Sequence, residues 1–292
     1  MVISARDIKD SDSLEQWLKE WPTSQGMNDD EARQVAVQIV HRAVLRAWPI
    51  AWDRFSLQSD AKDDVFVLAC LRCLTISAGA SICPLEALGS FAAQAMNAAR
   101  ASKSIEVGVN VFGGGGVITA KVTNAVFNAA VLVNDAATIN TNAIESSITA
   151  MLRFCNKENF EGLSPTEQDA IEKSQLVAKK SEHAAGIYWR EVLADALGFE
   201  QEKLGSLTSS LWHQNYVSEI ELAERRFKNR IRTKSPVWDF WLGFWEKAKR
   251  GETPPWEMLL EIAEIPEEDW DAGPVRIAEL IAGIELDFAE KA

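Results

Sequence analysis

Five of the chain's eleven tryptophans fall in its last 55 residues, at Trp238, Trp241, Trp245, Trp256 and Trp270, against two tyrosines in all 292 residues. An indole buries a large rigid surface and still needs a partner for its N–H, so such a cluster predicts a well-packed C-terminal helical subdomain. Trp238, Trp241 and Trp245 share one face of a helix, which points to core or partner packing. The cluster dictates packing and names no reaction.

Helix signals recur along the rest of the chain. Asp12 with Glu15 has capping-box spacing ahead of Leu14, Trp17, Leu18 and Trp21, and Pro22 is expected to end that helix. Asn28 with Glu31 opens a second helix through Val35, Ile39 and Ala43, which Pro49 is expected to stop. A third begins at Asp60 and runs through Val65, Leu68, Leu71 and Leu74, and Pro84 with Glu86 begins a fourth. Ser164, Pro165 and Glu167 predict a helix start, with the helix running past Ala184 toward Leu197. Another helix spans about 217–232, with acids near its start and basic side chains near its end, as the macrodipole favours. Ser235 and Pro236 begin the tryptophan helix, which ends near Gly251. Pro254 and Pro255 introduce a short helix, and Gly273 with Pro274 the last one.

The middle carries a different pattern. Ile105, Val107, Val109 and Val111 alternate with Glu106, Gly108 and Asn110, which suggests a short β-hairpin near 105–118, with Gly113 to Gly116 as a joint. Beyond it Lys121, Asn128, Asp135 and Asn142 recur every seven residues, making one polar seam on an amphipathic helix. The division expected is an N-terminal helical part over 1–104, a variable centre over 105–160 and a tryptophan-rich part over 161–292. The fold class is all-α, an elongated multi-helix bundle.

Charge and cysteine content narrow the function classes. A net charge of −13 disfavours a general nucleic-acid binder, whose affinity would come from clustered Lys and Arg. That charge is uneven: residues 225–250 hold nine basic against two acidic side chains, and residues 251–292 hold twelve acidic against two basic. The two blocks are expected to lie near each other and partly neutralise. A phosphate-binding strip on Arg225, Arg226, Lys228, Arg230, Arg232 and Lys234 is the sharper alternative. The start of the chain has no secretory-signal pattern, so a cytoplasmic location and free thiols at Cys70, Cys73, Cys83 and Cys155 are expected.

No combination of residues demands a catalyst. Cys70 and Cys73 have the spacing of a zinc knuckle, with Cys83 and His41 as further donors. The segment around them reads as continuous buried helix, where cysteine behaves as a small hydrophobe. His41, His183 and His213 are the only histidines, and none lies in a nucleophile context. The tetraglycine lacks the following lysine and hydroxyl of a phosphate loop. The apolar run at 117–133 is short for a membrane span and carries Lys121, Asn124 and Asn128. No catalytic residue, metal ligand or cofactor is therefore assigned.

The segments SLEQWLKEWP, EARQVAVQIVHRAVLRAWPIAW and the C-terminal run from Trp238 to Glu285 resemble a family of uncharacterised bacterial hypothetical proteins. Its members share a tryptophan-rich end, an Ile-Pro-x-x-x-Trp turn, here Ile265, Pro266 and Trp270, and a Gly-Pro start to the last helix. The resemblance implies a helical middle that varies between members, and no activity.

The reading favoured is a non-enzymatic helical interaction or regulatory module, of the kind bacterial conflict systems use, with a protein partner or a homo-oligomer. Its candidate surface is Trp238, Trp241, Trp245, Arg225, Arg226 and Arg230, together with Lys121, Asn128 and Asp135. The alternatives are a membrane-disrupting effector that releases the 105–150 segment on a trigger, and a hydrolase or nuclease with an acidic pocket.

Overall fold

The computed structural model describes residues 3–55, 61–82, 186–201, 209–213, 218–234, 236–252 and 254–291. The helix start at Pro84, the hairpin near 105–118, the polar seam of Lys121, Asn128 and Asp135, the start at Ser164, and Cys83, Cys155 and His183 lie outside them. Among the described residues the fold is all-α, with nine α-helices and no strand. They are α1 (Ser11–Ser24), α2 (Asp29–Phe55), α3 (Ala61–Ala80), α4 (186–201), α5 (Ser218–Lys234), α6 (Asp239–Lys249), α7 (Trp256–Ala263), α8 (Glu267–Asp271) and α9 (Pro274–Lys291). Short 3-10 turns at Ala5–Asp7 and Pro236–Trp238 precede α1 and α6.

Helix α2 is the axis. It packs against α1, α3 and α5, while α3 packs in turn against α7, α8 and α9. Buried apolar residues of the N-terminal and C-terminal helices belong to one core.

The ends follow local chemistry. Asp10 and Ser13 form the capping box of α1, two residues before the expected pair: Ser13 N donates to Asp10 Oδ1 at 2.9 Å and Asp10 N to Ser13 Oγ at 3.0 Å. Glu15 instead pairs with Lys19 at 2.5 Å along the helix. Asn28 and Glu31 cap α2 as expected, through Glu31 N to Asn28 Oδ1 at 3.0 Å and Asn28 N to Glu31 Oε2 at 2.9 Å. Helix α6 ends on Gly251 at φ 81°, and the N–H groups of Gly251 and Glu252 close back on Ala248 and Lys247 carbonyls, a Schellman end that favours glycine.

Neither proline stops its helix. Pro22 lies within α1 and Pro49 within α2. Lacking an N–H, Pro49 cannot occupy the carbonyl four residues earlier, that of Leu45. Trp245 of α6 fills the gap, donating its Nε1–H to Leu45 O at 3.1 Å. A tertiary bond replaces the local one, and the helix continues to Phe55.

Candidate functional site

Trp238, Trp241 and Trp245 are 3%, 2% and 2% exposed, so these three members of the expected interaction surface are core residues of the chain itself. Trp245 joins α6 to α2 and α5, through its bond to Leu45 O and edge-on to Phe227 at 5.5 Å between ring centroids. Arg225 is exposed and Arg226 half-buried on α5. Arg230 lies on the same helix. Three members of the basic block, Lys228, Lys249 and Arg250, are paired with nearby acids. Glu224 takes Lys249 at 2.8 Å and Lys228 at 3.0 Å, Lys228 also reaches Glu246 at 3.1 Å, and Arg250 pairs with Glu252 at 2.8 Å. Burial works to raise the Glu224 carboxyl, but the two ammonium groups overcome it and hold it below the ordinary carboxylate range.

A second polar centre is hidden where α2, α4 and the segment 209–213 meet. Arg42 Nε donates to Asp195 Oδ1 at 2.7 Å, and its Nη1 and Nη2 donate to the Ser209 and Ser210 carbonyls at 3.1 and 2.7 Å. Arg46 Nε donates to Leu211 O at 2.8 Å, and its Nη2 lies 2.7 Å from Asp195 Oδ2. That last approach is an ion pair outside hydrogen-bond alignment, which leaves Nη1 and Nη2 of Arg46 without a directed acceptor. The segment is fixed from its other side by the end of α6, where Leu211 N and Ser210 Oγ donate to Lys249 O at 2.9 and 3.0 Å. An orphan helix-end carbonyl and a connecting segment thus satisfy each other. The sequence reading does not anticipate this clasp. Two arginines four residues apart in the run IVHRAVLRAW, apolar apart from them and His41, are the signal for it, since a buried face carrying two guanidinium groups needs an acid from elsewhere.

Beside the clasp, Glu191 Oε2 accepts both His213 N at 2.7 Å and His213 Nδ1 at 3.0 Å. Burial acts to raise the Glu191 carboxyl, and the two bonds from His213 outweigh it, so it stays below its usual range. A carboxylate orienting an imidazole is half of a catalytic arrangement. Here both Glu191 bonds hold one segment in place, and no described nucleophile is bonded to the imidazole. His41 is buried and bonded through Nδ1 to Ser77 Oγ at 2.8 Å. Because Ser77 Oγ donates onward to Leu74 O at 2.9 Å, the imidazole must be the donor, which fixes its tautomer. Cys70 and Cys73 are buried free thiols of α3, and burial pushes Cys73 up to about 12, far from a reactive thiolate. Among the described residues no three His, Cys, Asp or Glu side chains gather as a metal site, and no helix is long and apolar enough to cross a membrane.

The C-terminal helix presents a different surface. Ile277 and Ile281 of α9 are buried, with Ile284 and Phe288 packed beside them on the inward face. Positions 275, 279, 282 and 286 repeat on the opposite face, where Val275 and Leu286 are 61% and 60% exposed. Glu279 lies between them on that face, and Glu285, Asp287 and Glu290 stand around it, all exposed. Of the two basic residues of α9, Arg276 is engaged by Asp269 at 2.7 Å and Lys291 lies over Phe288 at 5.2 Å. Helix α9 meets α7 and α8, and α8 is held by the Ile-Pro-x-x-x-Trp turn, in which Trp270 Nε1 donates to Ile265 O at 3.1 Å. Arg72 of α3 locks that turn from below, 2.5 Å from Glu267 and 5.0 Å above the Trp270 ring.

Comparison with protein-family models, with curated proteins and with solved structures returns no match.

Proposed function

We propose that this chain is a non-enzymatic helical module that acts by binding another protein, and that the outward face of α9 is the surface it offers. The observation that carries the reading is the exposure of Val275 and Leu286 on an acid-flanked stripe of an otherwise well-seated helix. Fully covering a side chain of this size is worth about 1.5–3 kcal/mol, which a partner surface would gain. The acidic flanks disfavour pairing of α9 with its own copy, because like charges would be juxtaposed along the whole contact. They favour a partner whose apolar ridge is bordered by Lys or Arg. The polar groups inside the molecule support a structural use of its chemistry, since the clasp and the His213–Glu191 pair bind neighbouring segments of the chain.

Affinity purification at native expression, followed by light scattering, tests the reading. A stoichiometric protein partner is expected with the wild type and is expected to be lost from a Val275→Asp, Leu286→Asp double variant of unchanged helicity. Recovery of monomer alone from the wild type overturns the proposal.

A further inference from the structure

Helix α6 carries a glycine in its interior, Gly243, between Leu242 and Phe244. Glycine there weakens a helix, so its presence calls for a reason. The usual reasons do not apply. Gly243 is not among the positive-φ glycines, and a Cβ built on it meets no atom within 4 Å, so no close backbone approach requires the bare position. What the missing side chain leaves is a groove of about 220 Å³, walled by Phe240, Gly243, Phe244 and Met258. Asp239 and Lys247 of α6 and Glu285 of α9 line it too, all three exposed and none in an ion pair among the described residues.

We propose that this groove seats a single apolar side chain of the protein partner, with an Arg or Lys of that partner placed against Asp239 and Glu285. The inference rests on the reading of α9 as a partner surface and names the anchor within it. Small-molecule sites usually enclose about 300–1,000 Å³, so the space suits one side chain better than a cofactor. Charge selects the neighbour of that side chain: two carboxylates face one ammonium at the groove, and α9 beyond it is acidic. Glu285 belongs to both features: it lines the groove and stands among the acids that flank the exposed face of α9. An apolar anchor in a pocket beside a charged rim is the arrangement in which a few residues dominate binding.

The test uses the full-length protein and a fluorescein-labelled synthetic amphipathic helix of Leu and Lys, with a Leu and Glu helix of equal length as its counterpart. Fluorescence anisotropy is expected to show the Leu/Lys helix binding at least about tenfold more tightly than the Leu/Glu helix, and Gly243→Leu weakening it by about tenfold or more. Gly243→Leu fills the groove and leaves the net charge unchanged, so general attraction of a basic peptide to an acidic protein cannot produce that loss. Its thermal midpoint is expected to stay the same or rise, because leucine is the better helix former. Glu285→Lys is expected to weaken the Leu/Lys helix as well. Equal binding by wild type and Gly243→Leu overturns the proposal, as does equal binding of the two peptides. A lower midpoint in Gly243→Leu, the sign of a groove already filled by another segment of this chain, overturns it too, and so does a change in its molar mass, the sign of a second copy. If the native partner is lost from the Val275→Asp, Leu286→Asp variant and kept by Gly243→Leu, the interaction reading stands and the groove proposal falls.

Discussion

Helix α2 is buried without a break from Val35 to Pro49, whereas α9 buries Ile277 and Ile281 and leaves Val275 and Leu286 more than half exposed. Both helices carry charge among apolar residues. Along the buried stretch of α2 the polar groups point inward and find partners far away in sequence: Arg42 and Arg46 at Asp195, and His41 at Ser77. In α9 they point outward, and the acids outnumber the bases around a stripe that nothing in the described chain covers. Polar residues on the axis fix how the helices assemble. Polar residues at the edge are left to select what approaches from outside.

If the inward charges are structural, removing one partner should be severe. Asp195→Ala leaves two guanidinium groups buried and uncompensated, and an uncompensated buried charge costs about 3–5 kcal/mol. Urea unfolding should show that loss directly. A destabilisation below about 1 kcal/mol, the range of an exposed pair, would remove the distinction drawn between the two helices.

The buried imidazole sharpens the contrast through pH. Burial, and then the neighbouring Arg42, push His41 down from its ordinary 6.5 to about 3 in the folded state. The unfolded chain thus takes up a proton that the folded one refuses. Stability from this residue is complete above pH 6.5 and drains away as pH falls from there toward 3. At pH 4.5 the loss amounts to about 3 kcal/mol. The Glu191 and Glu224 carboxyls, held below their ordinary range, lose stability in acid as well, so the measurement is a difference. His41→Gln keeps a donor for Ser77 and should flatten the pH dependence of the unfolding free energy by about one proton between pH 6 and 4. Identical slopes in the two proteins would show that the imidazole is not sealed off.

A smaller effect probes the bond that lets α2 pass its proline. Trp245→Phe removes the donor to Leu45 O and should cost about 1–3 kcal/mol, the penalty for a buried group left unsatisfied. Pro49→Ala restores a backbone N–H four residues after that carbonyl, so the double variant should recover part of the loss. Additive losses in the cycle would mean that the indole acts by packing alone.

What could be read in the sequence divides along the same line. Local chemistry was legible: Asn28 with Glu31, the glycine at 251 and the Gly273–Pro274 start each work within a few residues, and each lies where the helix boundaries fall. Pro49 was misread because the carbonyl it leaves open, that of Leu45, is met by Trp245, 200 positions away. The tryptophan cluster implied packing, and Trp238, Trp241, Trp245 and Trp270 are buried while Trp256 is 38% exposed; nothing local says whether an indole packs against its own chain or another. In the same way Asp195 has no signature of its own. Only the paired arginines of α2 hint at it. The groove at Gly243 went unread, because its walls come from Phe240 and Met258 of different helices.

The weakest expected effect is the most informative about α9. Substituting both Val275 and Leu286 by Asp changes side chains that are already 61% and 60% in water, so the unfolding free energy should shift by no more than about 0.5 kcal/mol. Leu286→Asp adds an acid to an already acidic face, a small penalty of the order of a few tenths of a kcal/mol for each like-charge neighbour, whereas Val275 is the second residue of α9, where the helix N-terminus favours an acid. A near-silent result in unfolding, set beside loss of the partner in pull-down, separates the outer stripe from the core as cleanly as Asp195→Ala joins α2 to it. A loss of several kcal/mol would instead place Val275 and Leu286 under another part of this chain. The acid-flanked face of α9 would then be one more internal seam, and the comparison with α2 would collapse into likeness.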